Sequence, residues 1–169
     1  MPSHYCVNTN NNQIFHTIRR DDGSWGKWGD VFTQSPDPSG GQVSDLAGAL
    51  TSDGIFHLCM VAGDGRIWHT LRDPTTGQWQ KTWGDPMTAG AGQPPNQSNN
   101  PLALPSQVRC GAVGTDLHLI IHVPFIIIYT IRDGVTGAWQ PWGNVLGQAG
   151  GAPTPGFLNT IVGIVAAGL

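Results

Sequence analysis

Apolar and polar residues alternate along this chain in short runs, broken by glycine-rich turns. The period is two. In the run Ile14, Phe15, His16, Thr17, Ile18, Arg19, the residues Ile14, His16 and Ile18 fall on one face and Phe15, Thr17 and Arg19 on the other. That predicts a β-strand. The same run returns over 67–72, ending at Arg72, and over 127–132, ending at Arg132. Each copy leads into a turn containing glycine and then a tryptophan pair: Trp25 with Trp28, Trp79 with Trp83, and Trp139 with Trp142. An upstream strand carries His4, His57 or His118. His4 precedes His16 by 12 residues, His57 precedes His69 by 12, and His118 precedes Tyr129 by 11. A further strand of small residues contains Gly48, then Gly111, and a third time Gly163 near the C-terminus.

These marks divide the chain into three units, each a third of 169 residues. Each unit reads as four strands joined by hairpin turns such as Ser52-Asp53-Gly54 and Gly63-Asp64-Gly65. Four-stranded repeats of this length are the blades of β-propellers. The expected fold is therefore all-β, a single propeller domain over 1–169 with three four-stranded blades. The first blade is shared between a C-terminal strand at about 157–167 and residues 3–33. The second covers about 42–87 and the third about 105–147. Joining the ends in this way leaves no free sheet edge. Three blades do not close a ring, since propellers hold roughly four to eight. Head-to-tail dimerisation into six blades is the expected closure, and a half-ring needing a different partner is the alternative.

Composition narrows the function. Charged residues are 11% of the chain and the net charge is −3, so a nucleic-acid partner is not expected. Glycine (24) and proline (13) are abundant, which suits many short strands and turns. The three cysteines Cys6, Cys59 and Cys110 have no metal-binding spacing, and Cys6 and Cys59 are repeat-equivalent, as small buried residues would be. The start has no basic and apolar leader pattern, so synthesis in the cytoplasm is expected, with any release by another route. The apolar stretch 157–169 is shorter than the roughly 20 residues of a membrane helix, so membrane insertion is not expected.

The candidate chemistry repeats with the units. Trp25, Trp79 and Trp139 each follow the third turn beside Arg19, Arg72 and Arg132. His16, His69 and Tyr129 could add a polar contact. An aromatic ring can stack on the apolar face of a sugar, and a guanidinium fork can bond two hydroxyls. Trp79→Ala is expected to abolish binding without unfolding. Structural roles compete. Trp28, Trp83 and Trp142 read as packing residues, Asp30 and Asp85 as turn caps, and the His4 class as buried histidines. For His16 and His69 a place in the core is the favoured reading.

The order His-Thr-Ile-Arg, glycine turn, Trp-x-x-Trp-Gly-Asp (16–30, 69–85, and with drift 129–144) resembles the repeat of the Photorhabdus-type bacterial β-propeller lectins. That resemblance implies multivalent recognition of fucosylated or O-methylated glycans without catalysis, at sites between blades. Those lectins have seven blades, which is not a multiple of three. The third unit also differs, with Tyr129, Ile128 and Asn144 where the first has His16, Phe15 and Asp30. The alternative is a non-catalytic scaffold for protein partners. A glycosidase would need two carboxylates flanking a bond; the chain has no glutamate, and no aspartate pair breaks the repeat symmetry. No cofactor and no metal are expected.

Overall fold

The computed structural model describes residues 2–92, 104–124 and 126–151. They form an all-β chain of three antiparallel sheets taken in chain order. The first holds β1 (Ser3–Asn8), β2 (Ile14–Arg19) and β3 (Gly29–Asp30). The second holds β4 (Val43–Leu50), β5 (Phe56–Ala62) and β6 (Ile67–Arg72). The third holds β7 (Gln107–Val113), β8 (Asp116–Val123), β9 (Ile126–Arg132) and β10 (Gly143–Asn144). The strand expected at 157–167 and most of the loop expected at 89–105 lie outside the described residues.

The register repeats. Ser3 pairs with Arg19, Phe56 with Arg72 and Leu117 with Arg132. Tyr5, Leu58 and Leu119 are therefore equivalent, as are Val7, Met60 and Ile121. The shorter spacing between His118 and Tyr129 comes from the hairpin between β8 and β9, where Val123 already faces Ile126.

Two hydrophobic cores explain the stacking of the sheets. One joins Ile14 and Val31 of the first unit to Phe56, Leu58, Met60, Trp79 and Trp83 of the second. The other joins Cys59, Val61 and Ile67 of the second to Leu117, Leu119, Ile121 and Trp139 of the third. Strand β5 serves both cores, because alternate side chains leave opposite faces of a strand. All seven of its residues are buried, which is why it reads as a nearly unbroken apolar run. Burial of Phe56, Leu58, Met60 and Val61 contributes roughly 1.5–3 kcal/mol each.

The small-residue strands β4 and β7 pack against each other. At Gly48 an added Cβ would lie 2.7 Å from the Phe56 ring, so the glycine makes room for that aromatic. Across this contact the Asp45 carboxylate accepts from Arg109 Nη1 at 2.7 Å and from the Val108 amide at 2.8 Å. Both side chains are mostly covered, so the pair is better shielded from water than a surface ion pair.

The fourth strand of each unit departs from expectation. It is not a continuous strand through the tryptophan pair. A single bridge joins Arg19 to Trp25, Arg72 to Trp79 and Arg132 to Trp139, and pairing resumes only near the second tryptophan. Side chains take over part of the ladder. Thr17 Oγ1 donates to the Gly26 carbonyl at 2.9 Å, and Thr130 Oγ1 donates to that of Gln140. Pro141, next in the third unit, has no N–H to continue pairing. Among the described residues no helix is long and apolar enough to cross a membrane.

Candidate functional site

The turn after the third strand places the arginine. In the second unit Asp73 Oδ1 accepts from the amides of Thr75 and Thr76 and from the Thr76 hydroxyl. Asp133 does the same for Val135 and Thr136. These bonds hold both carboxyls below their ordinary pKa. The turn closes on Gly77 at φ +70, and an added Cβ there would lie 2.8 Å from Arg72 Nη2. Gly137 stands in the same relation to Arg132 at 2.9 Å. The guanidinium thus lies over a turn that only glycine leaves open. Trp79 and Trp139 follow and bridge back to their arginines.

The histidines are placed by register. Cys6 faces His16 and Cys59 faces His69, which brings His4 and His57 within reach on the same side. The His4 Nδ1 to His16 Nε2 distance is 3.0 Å, and that from His57 Nδ1 to His69 Nε2 is 2.9 Å. Burial lowers the His4 pKa to about 4, helped by the Arg72 charge. Burial, His4 and Arg72 together lower His16 to about 3. In the second pair burial and Arg132 lower His57 to about 4, against a small opposing effect of Asp53. Burial, then His57 and Arg132, lower His69 well below its ordinary value. All four are neutral at pH 7, so one ring of each pair donates and the other accepts. Burial pushes the Cys6 thiol up to about 12 and raises Cys59 as well, which leaves both protonated and poor nucleophiles.

These parts meet between sheets, not within one. The expected triad of His16, Arg19 and Trp25 is divided. The His16 ring stands edge-on to Trp79 of the next unit, with centroids 5.3 Å apart and planes at 89°. His69 meets Trp139 of the third unit in the same way, at 5.4 Å and 85°. A cleft of about 250 Å³ opens at the first junction. His16, Thr17 and Ile18 line one side; Arg72, Gly77 and Trp79 line the other; Arg20, Lys27, Asp30 and Gln34 add polar groups. Gln34 Oε1 also accepts from the Trp79 amide at 3.2 Å, tying the two sheets at the cleft. Compared with family models and with curated proteins, the chain finds no match. What the cleft can do must therefore be read from its own chemistry.

Several expectations change on this geometry. Trp79 is 7% exposed and Trp139 is 8% exposed, because the neighbouring sheet covers each ring. Trp79 walls the cleft at the first junction, and neither ring offers an open stacking face. Trp25, with no sheet beside it among the described residues, is 54% exposed and touches Tyr5 at 4.8 Å. Tyr129 bonds Gln148 Oε1 through its hydroxyl at 2.9 Å. Trp83 and Trp142 pack between units, donating to the Ser35 and Gly92 carbonyls, while Trp28 is exposed. Asp30, Asp85 and Asn144 accept from the amides of Phe32, Met87 and Gly147. Arg20, Lys27 and Gln34 were not singled out from the sequence, since they sit between the aligned marks of the repeat. No group of three or more His, Cys or Asp side chains among the described residues could hold a metal ion.

Proposed function

We propose that this chain is a non-enzymatic carbohydrate-binding protein, a lectin, whose three sheets are propeller blades completed to six by a second chain head to tail. The observation that carries the reading is the His–Arg–Trp cluster repeated at both sheet junctions, with ring distances that agree to about a tenth of an ångström. A repeated polar site on a rigid frame suits a glycan-coated surface, where avidity multiplies weak contacts. The cleft beside His16 supports a sugar over an extended partner. It is small, and it combines one aromatic wall with a guanidinium, an ammonium, a carboxylate and a carboxamide. Buried neutral histidines, turn-capping aspartates and protonated thiols favour binding over catalysis. The preference for fucosylated or O-methylated glycans rests on the resemblance of the repeat alone.

The test is a glycan array followed by calorimetry with L-fucose and its methyl ethers, on the wild type and on Arg72→Ala. The expected result is array binding that free monosaccharide inhibits, weakened about tenfold in the variant, or about 1.4 kcal/mol. Array signals absent at every glycan, with protein partners retained, would favour the scaffold reading.

A further inference from the structure

We infer that a third His–Arg–Trp-type site is built across two copies of this chain, with Tyr129 from one copy and Arg19 and Trp25 from the next. Its identity as a sugar site rests on the lectin reading; its existence rests on the repeat geometry.

The junction between sheets has two halves, and the chain builds it twice. The incoming half is the face of the second strand. In the second unit it is Leu58 and Met60, and in the third Leu119 and Ile121; all four are fully buried against the preceding sheet. Their equivalents in the first unit are Tyr5 and Val7, which are 42% and 43% exposed. Trp25 and Trp28 are exposed on the same unit, although Trp79 and Trp83 at the matching positions are buried. A complete incoming half thus stands uncovered on the first sheet.

The receiving half lies on the third sheet, where its residues are half-buried around an open hollow. In the first two units it is the histidine strand, with His16 and His69 each meeting the next unit's tryptophan. In the third unit the matching positions are Tyr129 and, across the ladder, Ile120. Together with His118, Val145 and Gln148 they line an open, mainly apolar hollow of about 410 Å³. An exposed apolar hollow with polar groups at its rim marks an interaction site. The occupant that fits is the face whose two homologues already fill the same position inside the chain. The contact is heterologous, one end against the other. In it Tyr129 takes the place of His16 beside Arg19 and Trp25 of the next copy. A phenol there keeps the aromatic edge and adds a hydroxyl, so the third site differs in character from the other two.

The experiment uses the full chain with three readouts: mass by light scattering, reaction of Trp25 with N-bromosuccinimide followed by peptide mass, and L-fucose stoichiometry by calorimetry. The wild type is expected at twice the 18.0 kDa of one chain, with Trp25 protected and three fucose sites per chain. Val7→Arg spoils only the incoming half and Ile120→Arg only the receiving half. Each variant alone is expected to be a monomer with two sites and reactive Trp25. Their equimolar mixture retains one intact junction and is expected to return to the two-chain mass with five sites per pair. Should Ile120→Arg not fold, Gln148→Arg on the exposed rim replaces it. Assembly that survives Val7→Arg, or a wild type whose Trp25 reacts as fast as the variant's, overturns the inference. So does a mixture that stays monomeric. Absence of fucose binding at every site defeats the lectin reading alone, since mass and Trp25 protection still judge the junction.

Discussion

His57 and His69 share one hydrogen bond in a dry position between two strands, with Arg132 nearby. Charging either ring there is unfavourable, whereas the unfolded chain takes up both protons near pH 6.5. The folded pKa values lie below the unfolded ones, so the unfolded state binds more protons as pH falls. Stability is then full above about pH 6.5 and declines toward pH 4, by about 1.4 kcal/mol per pH unit for each proton taken up only on unfolding. Urea titrations between pH 7 and pH 4 are expected to show this slope, and to show a flatter one when both histidines are replaced by glutamine. Trp79 behaves as a core residue for a related reason. Its ring fills the junction against His16 and Phe56. Trp79→Ala is expected to cost roughly 3–5 kcal/mol by leaving a cavity, visible as a lower Tm. Loss of sugar binding in that variant therefore reports unfolding as well as contact, and Arg72→Ala is the cleaner probe of the cleft.

At the scale of the element, the turn from Asp73 to Trp79 carries the argument. Gly77→Ala imposes a side chain at positive φ and presses on the Arg72 fork. The expected cost is about 1–2 kcal/mol in stability, with a drop in fucose affinity measurable by calorimetry, because the arginine must move. Much of this element structure was legible in the residues. Alternation marked the strands, glycine and aspartate marked the turns, and the matched positions of His4 and His57 or of Arg19 and Arg72 gave the register. What equivalence could not give was neighbourhood. Aligning Trp25 with Trp79 says that they occupy the same place in their units, yet one is open and the other covered, because among the described residues only Trp79 has a sheet beside it. For the same reason His16 was grouped with its own unit's arginine, when packing hands it to the next. The broken fourth strand was hidden too: the threonine hydroxyls that replace ladder bonds are set by geometry, and Thr17 reads like any other strand threonine.

At the scale of the whole molecule, three similar sheets stand in a row, and the contact between the first and second is repeated between the second and third. Nothing in such a contact limits the number of its repeats; only the angle it imposes does. Between the second and third sheets β4 meets β7, with the Asp45 carboxylate on Arg109 and on the Val108 amide. A chain with complementary ends has two destinies, a closed ring or a growing fibre, and curvature selects between them. On the head-to-tail contact inferred above, holding the second sheet against the third bears on whether copies meet their own tail or continue as a polymer.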